Sequence, residues 1–240
     1  MRRRRHITGL SEVSSRSSYR PDVTGDAQLR YERLSASPSS TTWYDITASA
    51  NNGTASDAAI FSDFGFDGVA DHVTAGAANI CADMSETFTV TFWYKRNTTG
   101  VTGYSTIMQT RATGGWLLRD RSGTPAPGVA TDFTWETGSS GVTNVFGTVI
   151  PGDDSNWHFG SVVWEGAAAA DPKTVTGYNN GTAYATHTKT FGNDDGTAIK
   201  IGRGNSFFFY GNIDTVRVYP RALSADEIAR DYYAGKPTHA

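Results

Sequence analysis

Phe88-Thr89-Val90-Thr91-Phe92-Trp93-Tyr94 alternates along its whole length, with Phe88, Val90, Phe92 and Tyr94 on one side and Thr89, Thr91 and Trp93 on the other. A helix would scatter those apolar residues around its circumference. The run therefore commits this part of the chain to an extended strand with one face in a core, and Lys95-Arg96-Asn97 is expected to end it in solvent. Trp157–Trp164 (WHFGSVVW) is apolar on both faces, the pattern of a central strand covered on each side.

Shorter strand patterns occur at Ser105–Thr110, Gly115–Arg119, Asp132–Glu136, Asn144–Val149, Ile199–Gly202 and Asn212–Tyr219, separated by Gly, Pro and Ser clusters. Val175–Tyr178 and Thr182–Thr186 flank Asn179-Asn180-Gly181, and Asn51-Asn52-Gly53 is a second turn with the Asn-Gly pair that type I′ hairpins favour. Asp67-Gly68 marks a third turn. One helix is expected, at the end. Ser224 and Glu227 form a capping box, Leu223, Ile228 and Tyr232 supply an apolar stripe, and Gly235 with Pro237 stops it. Many strands and one short helix in 240 residues predict an all-β sandwich, a class that routinely reaches this size as one domain.

Charge is divided unevenly. Residues 1–20 hold Arg2, Arg3, Arg4, Arg5, Arg16 and Arg20 against Glu12, a balance of +5. The whole chain carries −3, so the remaining 220 residues carry −8. Residues 1–25 show neither strand nor helix period and read as a basic Ser/Arg-rich arm before a sandwich spanning 26–240. Four consecutive arginines suit an acidic protein surface or phosphate. The body has no second basic patch, which argues against a dedicated nucleic-acid protein. The lone Cys81 excludes an internal disulfide. The arginines lack the apolar stretch of a signal peptide, and no run approaches the roughly 20 apolar residues of a membrane span.

The blocks FTVTFWYKRN (88–97), NWHFGSVVWEG (156–166), GYNNGTAYATH (177–187), IKIGRG (199–204) and GNIDTVRVYPRALSADEIARDYYAG (211–235) occur in that order. Together with WYDITASANNGTASDAAIFSDFGFDGVADHV (43–73), they resemble the laminin-G-like branch of the concanavalin A-like lectin/glucanase superfamily. The resemblance covers about residues 43–235. It implies a jelly roll of two packed antiparallel sheets closed by a short C-terminal helix, with the Trp and Phe of the two long strands forming the core between sheets. Domains resembling this one often belong to bacteriophage structural proteins.

Glucanases of that superfamily resemble one another in an E-x-D-x-E strand motif, whose alternation puts two working carboxylates on one face. No such motif occurs here, nor G-x-S-x-G or H-E-x-x-H, and the five histidines show no ligand spacing. A non-enzyme is expected. Many relatives look to hold one Ca²⁺ between paired acids; here Asp71 and Asp214 remain, while Ala70 and Thr215 stand where the second acids are usual. A calcium site is therefore doubtful, and no other cofactor is implied.

Glycan sites in sandwiches use an exposed aromatic that stacks on a sugar face. Tyr104, Trp116, Trp135 and above all the run Phe207-Phe208-Phe209-Tyr210 are candidates, because four consecutive aromatics on a strand cannot all point inward. Phe92, Trp157, Phe159 and Tyr219 read as core. The combined expectation is a virion structural or decoration protein, displayed on a capsid or tail, anchored in part by Arg2–Arg5 and capable of glycan adhesion. It would be made in a host cytoplasm without a signal peptide. The alternative is a free carbohydrate-binding module or lectin.

Overall fold

The computed structural model describes residues 26–31, 41–56, 65–75, 80–81, 86–97, 104–111, 115–120, 133–137, 141–144, 156–166, 172–190, 196–204 and 206–239. The basic arm with Arg2, Arg3, Arg4 and Arg5 lies outside them, as does most of the strand expected at 144–149.

Short strands come first: β1 (Leu29–Tyr31), β2 (Thr42–Trp43), β3 (Gly53–Ser56), β4 (Gly65–Asp67) and β5 (His72–Thr74). Then come β6 (Phe88–Arg96), β7 (Ser105–Gln109), β8 (Trp116–Asp120), β9 (Phe133–Thr137) and β10 (Gly141–Asn144). β11 (His158–Glu165), β12 (Pro172–Asn179), β13 (Thr182–Thr190), β14 (Lys200–Ile201) and β15 (Tyr210–Tyr219) complete the strands. One helix, α1 (Ala225–Gly235), and a closing 3-10 turn (Lys236–Thr238) end the described chain. The strands form two antiparallel sheets. The first runs β1-β15-β6-β11-β12-β13, with β4 also paired to β15, and the second runs β10-β9-β8-β7-β14-β5-β3-β2. This is the expected β-sandwich.

The β6 alternation does what the sequence demands of it. Phe88, Val90, Phe92 and Tyr94 enter the core between the sheets, where they meet Trp116, Leu118, Met108 and Ile201 from the second sheet. Phe88 is stacked against both Trp116 (6.2 Å) and Trp164 (6.3 Å). The opposite face of β6 carries Thr89, Thr91 and Trp93. Trp93 joins a second apolar cluster with Phe159, Val163, Tyr219, Leu223 and Ile228. The aromatics of the two long strands are thus split between two layers, correcting the expectation that all lie between the sheets. Arg96, expected in solvent, is buried at the end of β6.

The second cluster exists because α1 covers it. The Ser224 side chain accepts from the Glu227 backbone N–H, and the Glu227 carboxylate accepts from the Ser224 N–H at 2.8 Å, completing the capping box. The helix sets Ile228 into the sheet, and with it Asp231, which receives Arg217 Nη1 (2.5 Å) and Tyr219 Oη (3.1 Å). Gly235 does not end the helix through a left-handed cap. A Cβ there would run into Trp93 Nε1, so the glycine allows the helix end to lie on the tryptophan.

Turn chemistry is met at two of three places. Asn180 (φ 50) and Gly181 (φ 79) make the two-residue loop of the β12–β13 hairpin, and Gly68 (φ 78) turns the chain after β4. Gly53 is different: it opens β3, where a Cβ would lie 2.8 Å from Val73. The loop before it is organised by Asp45, which accepts from the backbone N–H groups of Arg30, Thr47 and Asn51.

A bulge in β15 decides which of its charged side chains face the helix. Asp214 pairs with Trp93 and Arg217 with Thr91, so three steps on β15 answer two on β6, and Thr215 takes φ 54. The extra residue puts both Asp214 and Arg217 on the helix-covered face, although they are an odd number apart.

Candidate functional site

A cavity of about 460 Å³ opens between the outer face of β6 and β11 and the C-terminal helix and turn. That size lies within the range of small-molecule and cofactor pockets. Its floor and walls are aromatic: Trp93 from β6, Trp157 just before β11, and Tyr232 from α1. Trp93 is almost fully covered, stacked parallel to His239 at 4.3 Å and on Tyr232 at 5.7 Å. Trp157 meets His239 edge-on at 4.9 Å and remains half-buried, which leaves ring surface toward the cavity.

Polar groups ring this floor. Asn180, at the β12–β13 hairpin, spends its Oδ1 on the Phe159 N–H (2.9 Å), which fixes the side chain at the cavity edge. Lys95 extends from the end of β6, and Lys236 opens the closing turn with its Nζ 5.6 Å from the Tyr232 ring centroid. Neither lysine makes an ion pair with a described residue. His239 is held at the back. Its Nε2 lies 3.0 Å from Asp214 Oδ2 and its Nδ1 2.9 Å from the Gly235 carbonyl. No carboxylate among the described residues lines the cavity.

The residues expected to act from sequence fall elsewhere. Trp116 is 0% exposed, stacked on Phe88, with its Nε1 donating to the Cys81 carbonyl at 2.8 Å. No ligand reaches its ring, which corrects its candidacy as a contact residue. Cys81 is equally enclosed, and burial pushes its thiol pKa well up. The aromatic run is divided. Phe209 is in the core against Phe66, so it too is corrected; Phe207, Phe208 and Tyr210 are half-buried. Phe207 meets Tyr104 edge-on at 4.9 Å with the Arg119 guanidinium 4.3 Å from the Tyr104 centroid, and Arg203 lies 5.5 Å from the Phe208 centroid. The Phe207 and Phe208 rings are therefore each engaged by a neighbour in the fold. Trp135 falls on β9, opposite Leu118 and Thr143.

Asp71 and Asp214, the two acids a calcium site would draw on, lie in different parts of the fold, the turn after β4 and the helix-covered face of β15. Asp71 is buried in the turn after β4, where its Oδ2 accepts from the Asp67 N–H at 2.9 Å. Asp67 pairs with Tyr210, while Asp214 sits four residues further along β15, ~13 Å at the rise of a strand. Asp214 has both oxygens engaged, Oδ1 by the Thr215 N–H (2.6 Å) and Oδ2 by His239. Ca²⁺ takes six to eight oxygens, more than the carboxylates of Asp71 and Asp214 supply. Among the described residues, no three His, Cys, Asp or Glu side chains gather to hold a metal. No described helix is long and apolar enough to cross a membrane.

Residues 67–229 match the sequence profile of the concanavalin A-like lectin/glucanases superfamily, more than half of the chain. The chain belongs to this superfamily. Solved structures share the fold of this superfamily member at low identity. The botulinum neurotoxin serotype D binding domain is 15% identical with a TM-score of 0.58, over 87% of this chain and 51% of that one. The binding domain of Paraclostridial Mosquitocidal Protein 1 is 15% identical with a TM-score of 0.59, over 88% and 52%. The botulinum neurotoxin DC binding domain, solved in complex with rat synaptotagmin II, is 15% identical with a TM-score of 0.58, over 88% and 52%. The chain thus spans about half the length of the structures it matches, and at these identities the likeness is one of fold: a lectin-like sandwich of the kind found in binding domains. No curated protein sequence matches the chain.

Proposed function

We propose that this chain is a non-catalytic binding module that holds a saccharide in the cavity between β6, β11 and the C-terminal helix. The observation that carries this reading is the pairing of half-buried Trp157 and Tyr232 rings with asparagine and lysine side chains around one half-open cavity. An apolar ring face against which a pyranose can lie, edged by hydrogen-bonding groups, matches the two-sided chemistry of a sugar. The superfamily's carboxylate strand motif is lacking, which argues against hydrolysis. Cell entry of botulinum neurotoxin type C, a fold relative, is dependent upon interaction with two ganglioside molecules, so a glycan ligand is in keeping with this architecture. On a glycan array the full chain should retain at least one saccharide class, and Trp157→Ala should abolish that retention while the protein stays folded by circular dichroism. Retention unchanged in Trp157→Ala would remove the cavity as the site.

The charge division favours a second, compatible reading. An arm of +5 before a body of −8 suits a protein tied by Arg2–Arg5 to an acidic surface of a larger assembly, such as a capsid or tail that displays the sandwich. Deleting residues 2–20 should then abolish co-sedimentation with particles from the protein's source, and full docking of the truncated chain would end this reading.

A further inference from the structure

We infer that the saccharide this cavity takes is anionic, carrying a carboxylate or sulfate on a sugar ring. The inference rests on the cavity being the binding site and concerns which ligand it selects.

The body beyond residue 20 is net −8, yet the cavity wall holds Lys95, Lys236 and His239 and no described carboxylate. Asp214 is hydrogen-bonded to His239 Nε2 (3.0 Å) and does not itself line the cavity. Lys95 and Lys236 are answered by nothing comparable among the described residues. The two lysines come from different elements, the end of β6 and the turn after α1, and both line the one cavity. The Lys236 Nζ lies 5.6 Å from the centroid of the Tyr232 ring, and an ammonium is attracted to a ring face. An anion placed between the two lysines gains charge-assisted hydrogen bonds, while the sugar ring that bears it rests on Trp157. A neutral sugar would make no such charge-assisted bond with either lysine.

The test is an array of paired glycans that differ only in charge: uronic-acid oligomers beside their methyl esters, and sulfated beside unsulfated oligosaccharides. The full chain is compared with Lys95→Gln, Lys236→Gln and the double variant, so that the arm's own attraction for anions is common to all four. Both substituted side chains reach solvent, and matching melting temperatures confirm intact folds. Capture of the acidic member of each pair, weakened at least tenfold in the double variant, is the expected result; the carboxylate and sulfate pairs separately report which anion is preferred. Equal capture of neutral and acidic members, lost in Trp157→Ala but unchanged in the lysine variants, overturns the charge inference and leaves the saccharide reading standing. Acidic capture that survives the double variant also overturns it, tracing the attraction to the arm. Capture of no glycan by the wild-type chain sinks both.

Discussion

The two faces of β6 meet different kinds of cover. Its inner face packs against a whole second sheet, so Phe88, Val90, Phe92 and Tyr94 are enclosed in a continuous layer reaching Trp116 and Trp164. Its outer face is roofed by one eleven-residue helix and the short turn after it. A helix that size covers Phe159, Val163 and most of Trp93 but does not extend to Trp157, and the cavity is the space left beside it. The inner face is therefore enclosed throughout, whereas the outer face holds the helix and leaves a cavity beside it.

The largest effect should come from the inner face. Trp116→Ala removes a fully buried ring stacked on Phe88, and its loss should cost about 3–5 kcal/mol, the usual range for a core Trp→Ala change. Denaturant unfolding would show an early midpoint for the whole domain, with any remaining folded fraction binding as before. An unfolding curve that splits into two transitions would break the comparison, since it would mean the core is not one cooperative unit.

Next in size is a change at the root of the roof. Asp231→Ala leaves Arg217 buried without the carboxylate that answers it, and also strips Thr91 Oγ1 and Tyr219 Oη of their acceptor. Breaking a buried pair from one side costs about 3 kcal/mol or more. Here the loss should be local first: α1 and the closing turn become open to proteolysis and amide exchange while the inner core stays protected. Ligand retention should fall with it, because Tyr232 and Lys236 travel with the helix. Protection lost evenly across both faces would instead show that helix and sandwich open together.

How much of this was legible follows the same division. The inner face could be read from Phe88–Tyr94, because strict alternation and a packed sheet obey the same period. Trp116 and Phe209 misled for a related reason: an aromatic beside a glycine or inside an aromatic run looks exposed until the partner sheet is known. The outer face was legible only in outline. The capping box placed the helix, and Trp93 projecting from a face otherwise lined by Thr was a signal that something covers it. Trp157 read as core because its neighbours in WHFGSVVW are core. The Asp214–His239 contact was beyond reach, since alternation from Val216 and Val218 would send Asp214 inward. The bulge at Thr215 reverses it, and nothing in a single sequence announces an inserted residue.

The smallest effect concerns how the helix begins. Arg221 donates through Nη1 and Nη2 to both Glu227 oxygens (3.0 and 2.8 Å) and through Nε to Asp26 (2.6 Å), joining the start of the described chain to the helix entry. The Arg221 side chain, followed by the Ser224 N–H, lowers the Glu227 carboxyl from its ordinary 4.5 to about 2. A carboxyl whose pKa is depressed by folding contributes its stabilisation above the unfolded value and loses it as protons are added. The contribution should thus be whole above about pH 4.5 and fade as pH falls through about 2. Both partners are partly exposed, so solvent screening holds the gain to about 1 kcal/mol or less. Glu227→Gln keeps a capping-box side chain but removes the charge, and its melting temperature should trail the wild type by a degree or two at neutral pH and converge with it near pH 2. A gap that persists undiminished as pH falls through 2 would mean that the Glu227 charge is not what stabilises the helix entry. The helix would then be held to the sandwich by Asp231 alone among its acids, which would sharpen the difference between the two faces of β6.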